Sequence, residues 1–594
     1  MNRLIILLFI SLLPFASNAQ KDSNEIKQFV SQLDTRIPEL LNDFIVPGTA
    51  IAIIENGEVI LKKGYGLANS ETKEKVTNTT GFNIGSISKT VAAWGVMKLV
   101  QEGKIDLDAP AEKYLTRWHL PESEFDANKV TIRRLLSHTA GLSLHGYPGW
   151  SPKDQLPTIE ESLNGKNNGP GRVEMIMEPG TKWKYSGGGF SILQLIVEEV
   201  TGQRFEDYMQ SQVLNPLGMS NSSYAIDQKI MAASSKEHNR FGEIIDFELF
   251  TAQAAAGLHT TIDDFALFAM ASLYGLKSRR PQILSAATIK EMMEAAPASD
   301  GEYGLGYQVL AIDGTDVVLR GHGGANTGWH AYLMVDPVTN DGFIMVTNGG
   351  AGHNIYRQVF CDWIYWKNQV TMGNGCNIAK PIANKLKQLI DKNGHENIAT
   401  VYHELKNSEA SNYDFTEPQL NQLGYYYMGE KNVDAAQALF KINVDSYPYS
   451  SNVYDSYGEA LLANGLKQEA IENYKKSVEL NPGNDHGISV LKDLGIDTSD
   501  LIKEVVVDQA TLESYFGRYE ISPEFIITVF QEGKRMMASA TGQGVFEIFP
   551  KAQNVFYLKV VEAQLVFNKN DAGDVESLTL MQNGGEAVGP RIKE

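Results

Sequence analysis

Apolar positions change period several times along the chain, and each change marks a new kind of segment. Between Asn24 and Asp43, residues Ile26, Phe29, Val30, Leu33, Ile37 and Leu40 fall at helical spacing. The run Gly48-Thr49-Ala50-Ile51-Ala52-Ile53-Ile54 predicts a strand, Asn56-Gly57 a tight turn, and Val59-Ile60-Leu61 the returning strand of a hairpin. From Ile84 onward Val91, Ala92, Val96, Met97, Leu99 and Val100 restore helical spacing, which stops at Gly103. Segments 131–142, ending in a turn at Gly141, and 190–201, ended by Gly202, predict two more helices. Thr260 or Thr261 is suited to cap the next helix, with Asp263 and Asp264 in its first turn and the apolar stretch 265–273 buried. Strand-like segments at 317–320, 329–335 and 343–347 follow. Strands on both sides of a block of helices predict an α+β domain with an antiparallel sheet.

A different architecture begins after Val370. Leu423, Gly424, Tyr427, Ala436, Phe440 and Pro448 recur thirty-four residues later as Tyr457, Gly458, Leu461, Ala470, Tyr474 and Pro482. That is the tetratricopeptide period, in which helix pairs pack through small and aromatic positions. Two repeats are too few for an independent solenoid, and segments 385–405 and 488–494 are suited to cap them. The repeats read either as a structural spacer or as a groove for a protein partner. From 509 onward, short segments at 517–521, 525–530, 536–540, 545–549, 555–560 and 565–568 alternate with turn residues and predict a small antiparallel barrel or curved sheet.

Charge and cysteine usage narrow the function. The 594 residues carry 72 acidic and 52 basic side chains, a formal charge of −20, with no basic patch, so no nucleic-acid partner is expected. Arg3, the apolar run 4–15 and Ser17-Asn18-Ala19 read as a secretory signal cut after Ala19. No transmembrane segment is expected in the mature chain, which is expected to be exported, periplasmic or secreted. Cys361 and Cys376 are too few for a disulfide scaffold or a cysteine metal site. They form either one bridge or two separate thiols, because spacing does not supply Cβ geometry. The eleven histidines show no ligand spacing on one face, so no metal and no other cofactor is expected.

Candidate chemistry centres on Gly85-Ser86-Ile87-Ser88-Lys89-Thr90. Residues three apart share a helix face, so Lys89 can meet Ser86. A serine hydroxyl needs a base to become a nucleophile, and a desolvated lysine whose pKa has fallen can serve. The helix N-terminus adds N–H groups that favour developing negative charge. The same pair also fits a capped helix with a solvated lysine. Tyr185 lies in the turn-rich stretch 178–189, at a helix mouth where a phenol can face a cleft. Gly321-His322-Gly323-Gly324-Ala325 suggests close approach of backbone to a ligand and free N–H groups for an oxyanion. His138 reads as a helix-end histidine bonded to backbone carbonyls.

In this order, Ser86-x-x-Lys89, Tyr185-Ser186-Gly187 and His322-Gly323-Gly324, with LLSHTAGL and EPGTKWKYSGGG between them, resemble the serine beta-lactamase and penicillin-binding-protein superfamily. The resemblance covers 22–369 and is closest to the class C-like branch that includes esterases and D-amino-acid peptidases. It implies a beta-lactamase-like antiparallel sheet with a helical domain. By that resemblance Ser86 is the acylated nucleophile, and Lys89 and Tyr185 are the proton-handling pair, either of them the base. The N–H groups of Ser86 and Ala325 form the oxyanion hole, with His322, Gly323, Gly324 and Gly187 in the substrate site. The β-rich tail resembles the lipocalin-like tails of some members of this branch.

Two departures bear on substrate choice. Gly187 stands where many relatives have an asparagine that holds the substrate acylamide. His322 stands where many have a lysine, and an imidazolium would replace that charge only in part. Penicillin hydrolysis is therefore less expected than acyl transfer from a small ester, amide or D-amino-acid peptide. The alternatives are a beta-lactamase or D,D-peptidase acting on cell-wall peptides, and a non-catalytic ligand-binding or sensory module using the repeats for a protein partner. The expected organisation is a signal peptide at 1–19, a hydrolase domain at 22–370, helical repeats at 378–497 and a β-rich domain at 508–594.

Overall fold

The Gly48–Glu55 strand is apolar on both faces: Ala50, Ala52 and Ile54 enter one core, Ile51 and Ile53 another. A strand of that kind must be covered on both sides. In the computed structural model, which describes residues 21–166, 171–274, 283–373, 375–501, 505–561, 563–582 and 585–592, it is. The signal peptide expected at 1–19 lies outside the described residues. The chain divides into two units, Met1–Ile378 and Ala379–Glu594.

The first unit is built on a six-stranded antiparallel sheet. Its order is Glu58–Gly66, Gly48–Glu55, Asp341–Thr347, Trp329–Asp336, Val318–Asn326 and Gln308–Ala311. Asn56 and Gly57 take φ of 51° and 78°, the left-handed pair a two-residue hairpin requires. Helices Ser23–Asp43 and Gly352–Asn368 cover one face; Ile87–Gln101 and Ile262–Ser272 cover the other. The Ile87–Gln101 helix is buried on all sides from Ile87 to Met97, so its first turn, where the Ser-x-x-Lys pair lies, is in the core rather than at the surface. Thr261 caps Ile262–Ser272, its side chain accepting from the Asp264 N–H. Cys361 and Cys376 are bridged, with Cα atoms 5.7 Å apart.

Two elements run further than their apolar pattern. The strand expected at 317–320 continues to Asn326, straight through the glycines. A Cβ on Gly321 would lie 1.8 Å from the Leu333 carbonyl oxygen, and one on Gly324 2.0 Å from that of Ile84. At Gly321 and Gly324 the absence of a side chain lets the strand approach its own chain. The helix expected from residue 190 begins at Gly187, and its first turn is closely packed at Gly187 and Gly188, where a Cβ would lie 2.9 Å from the His145 carbonyl oxygen and 2.8 Å from the Val173 side chain. Steric exclusion here outweighs the poor helix propensity of glycine.

The second unit begins with seven helices from Ile382–Asn393 to Asp485–Asp493. Gly424 faces the Phe440 ring, and Gly458, thirty-four positions on, faces that of Tyr474. Eight consecutive antiparallel strands follow, from Gly517–Ser522 to Gly585–Pro590, around a core containing Tyr519, Phe556, Phe567 and Leu578. The first and last strands meet at Tyr519 and Arg591, and the Ile592 N–H donates to the Arg518 carbonyl at 2.8 Å, so the barrel is nearly closed. The pattern missed Val575–Gln582 and Gly585–Pro590, in which few side chains are buried. The fold is α+β, with an antiparallel sheet covered by helices, a helical region and a C-terminal, nearly closed barrel.

Candidate active site

Gly85, at φ of +51°, turns the chain so that Ser86 caps the Ile87–Gln101 helix. Asn83 holds that turn: its Oδ1 accepts from the Gly85 N–H at 2.7 Å and from Asn326 Nδ2 at 2.8 Å. Asn83 Nδ2 and Asn326 Nδ2 both donate to the Ala256 carbonyl at 3.1 Å. The nucleophile turn is thereby tied to the end of the Val318–Asn326 strand. A Cβ on Gly85 would lie 2.5 Å from the Ala325 nitrogen, so the Ala325 amide sits against the turn that carries Ser86.

Lys89 is 2% exposed. Its Nζ donates to Ser86 Oγ at 3.2 Å and to the Ala255 carbonyl at 2.7 Å. Gln194 positions that carbonyl, its Oε1 accepting from the Ala254 N–H and its Nε2 donating to the Thr251 carbonyl, each at 3.0 Å. Burial draws the lysine pKa from 10.5 down to about 7. A large fraction is then a neutral amine at neutral pH, its lone pair available to the serine hydroxyl.

The same ammonium lies 4.9 Å from the centre of the Tyr185 ring. The Tyr185 hydroxyl is buried and reaches no partner at hydrogen-bond length among the described residues. Burial raises its pKa by more than neighbouring Ser86 lowers it, so the phenol stays protonated. His138, His145 and His322 surround it, with ring centres 4.2, 4.8 and 5.9 Å away. Tyr303 packs on His138 and His322 at 4.8 and 5.8 Å.

His322 corrects one expectation. Its Nδ1–H donates to the Gly323 carbonyl at 2.5 Å, and burial, then the Lys89 charge, hold its pKa near 3. It supplies no imidazolium for a substrate carboxylate at neutral pH. Gly187 is the second surprise: its N–H donates to the His145 carbonyl at 3.1 Å, and a Cβ there would lie 2.9 Å from the same oxygen. Loop backbone fills the space an asparagine would need. Ser86, Lys89, Tyr185, His322, Gly187 and Ala325 thus converge, whereas the side-chain positions of Gly323 and Gly324 point to Tyr332 and Ile84. Sequence reasoning missed Asn83, Asn326, Gln194, Tyr303 and the Ala255 carbonyl. Tyr303 lies beside Gly304 and Gly306 and Asn83 two residues before Gly85; Asn326, Gln194 and the Ala255 carbonyl act through contacts with distant segments.

Residues 33–357 match the Beta-lactamase family. The chain belongs to this family. Residues 503–587 match the family described as Domain of unknown function (DUF3471). Protein flp of Staphylococcus aureus (strain NCTC 8325 / PS 47) is 32% identical over 204 residues, which are 32% of this chain and 38% of that protein. PbpX of Bacillus subtilis (strain 168) is 29% identical over 208 residues, 35% of this chain and 48% of that protein. The match thus spans less than half the length of either relative. The octameric penicillin-binding protein homologue from Pyrococcus abyssi superposes with a TM-score of 0.47 at 20% identity, covering 94% of this chain and 99% of that one. Among the described residues no helix is long and apolar enough to cross a membrane, and no cluster of ligand side chains could hold a metal ion.

Proposed function

We propose that the chain is an exported serine hydrolase that transfers an acyl group to Ser86 and releases it to water. One observation carries the reading: a buried Lys89 amine 3.2 Å from Ser86 Oγ, with its pKa drawn to about 7. In the first step neutral Lys89 accepts the Ser86 proton as Oγ attacks the acyl carbon, and the carbonyl electron pair moves to oxygen. The Ser86 and Ala325 N–H groups would stabilise that oxyanion. Collapse breaks the bond to the leaving group, which takes its proton from Lys89 through the Tyr185 hydroxyl. Water then attacks the acyl-enzyme by the reverse proton path. Because burial lowers Lys89 and raises Tyr185, it supports Lys89 as the base and Tyr185 as the relay.

A neutral His322 and a filled Gly187 position support an ester, amide or D-amino-acid peptide over a penicillin. A lysine-like charge would be needed for the substrate carboxylate in the beta-lactamase or D,D-peptidase alternative. The thirty-four-residue recurrence supports a tetratricopeptide-like segment serving as a spacer, the alternative being a groove for a protein partner, and the nearly closed barrel supports the lipocalin-like reading. A disulfide between Cys361 and Cys376 agrees with an oxidising, periplasmic or extracellular location.

The test is the intact mass of wild-type and Ser86→Ala protein after brief exposure to an activated short-chain ester, with released alcohol followed in parallel. An acyl adduct or turnover confined to wild type is expected. Equal turnover by the folded Ser86→Ala protein rejects the proposal, and faster hydrolysis of nitrocefin or a D-alanyl-D-alanine peptide than of esters selects the cell-wall alternative.

A further inference from the structure

His138 follows the short Ile132–Leu136 helix and its cap residue Ser137, in the left-handed region at φ of +58°. Few residues with a side chain adopt that conformation. Its carbonyl accepts from the Lys184 N–H at 2.8 Å, and its ring Nδ1 accepts from the Ser186 N–H at 3.1 Å. The residue between those two amides is Tyr185. The single side chain and backbone of His138 therefore hold the Tyr185 segment on both sides, while its ring lies 4.2 Å from the phenol.

An amide N–H can only donate, so Nδ1 is the unprotonated nitrogen and the imidazole proton resides on Nε2. Protonating Nδ1 would set one N–H against another. Burial, and then the nearby Lys89, His322 and His145, push the His138 pKa well below 6.5, which keeps the Nδ1 lone pair available across the neutral range. A helix-end histidine bonded to carbonyls, as the chain pattern suggests, would do the opposite and donate.

We infer that His138 is a positioning residue, whose Nδ1 acceptor fixes the Tyr185 hydroxyl against Ser86 and Lys89; the inference rests on the acyl-transfer reading above. Among the described residues its hydrogen bonds go to Lys184 and Ser186 and none to Ser86, so it acts through Tyr185 rather than on the reacting atoms. Two substitutions separate this role from mere stabilisation of the loop. Asparagine tolerates a positive φ and presents Oδ1 at the place of Nδ1. Glycine suits the same φ but offers no acceptor.

The experiment measures the acylation rate of the full chain with p-nitrophenyl acetate for wild type, Ser86→Ala, His138→Asn, His138→Gly and His138→Ala, with circular dichroism and melting curves on each. His138→Asn is expected within about threefold of wild type. His138→Gly and His138→Ala are expected to acylate roughly 10- to 100-fold more slowly at a KM changed by less than about threefold, the loss that misplacing one catalytic group produces. A folded His138→Gly protein acylating at the wild-type rate overturns the inference, as does a folded His138→Asn protein as slow as His138→Gly. Absence of Ser86-dependent acylation in wild type would instead remove the reaction itself, and the inference with it.

Discussion

Replacing Lys89 by methionine should abolish acylation and yet make the protein more stable. The native state holds this amine at a pKa of about 7, against 10.5 for a solvated lysine. At about 1.4 kcal/mol for each tenfold change in proton affinity, burying the ammonium costs roughly 5 kcal/mol well below pH 7 and about 4 kcal/mol at pH 7. Methionine has a similar length and no charge, so it removes that cost. Against this stands the Ala255 carbonyl, which loses the 2.7 Å hydrogen bond from Nζ; an unsatisfied buried acceptor costs about 1–3 kcal/mol. The net expectation at pH 7 is a gain of about 1–3 kcal/mol. Its pH dependence is equally specific. Between pH 7 and 10.5 the unfolded chain binds more protons at this site than the native one, so wild type gains stability as pH rises. The advantage of Lys89→Met should therefore shrink steadily over that interval and vanish at about pH 8 to 10, beyond which the lost bond to the Ala255 carbonyl leaves the variant the less stable. Urea unfolding of both proteins at pH 6, 7, 8.5 and 10, followed through the transition of the first unit, measures it. A variant less stable than wild type at pH 7, or a difference that does not change with pH, would refute the reasoning.

Tyr185→Phe should slow acylation by about 100-fold or more while leaving the melting temperature unchanged or slightly raised, since the hydroxyl it removes is buried and reaches no group at hydrogen-bond length among the described residues; stopped-flow acylation and calorimetry together check this. Gly187→Asn, which restores the residue many relatives carry, should lower stability by about 1–3 kcal/mol through its contact with the His145 carbonyl and should not confer nitrocefin hydrolysis. Changing both Cys361 and Cys376 to serine opens a loop fifteen residues long and should cost about 3 kcal/mol; denaturation with and without reductant should show wild type converging on the variant once reduced.

Much of this molecule was written in local pattern. The strand-turn-strand at Gly48 to Leu61, the capped helix after Thr261 and the thirty-four-residue recurrence each depend on side-chain period and turn residues within a short window, so they were legible from the chain alone. So was the Ser86 and Lys89 pair, because both lie on one helix face.

Tertiary structure decided everything that depends on what a distant segment brings. Lys89 is a plausible solvated lysine until Ala255, its partner from 166 residues away, and the surrounding core desolvate it. The glycines of 321–324 suggest close backbone approach, and only the positions of Leu333 and Ile84 show that at Gly321 and Gly324 the neighbour is the chain itself. His322 became neutral, and His138 a brace for Tyr185, through burial and through bonds to Gly323, Lys184 and Ser186 that no spacing rule encodes. Residue type and period are properties of neighbours in the chain, whereas pKa, tautomer and steric room are set by neighbours in space.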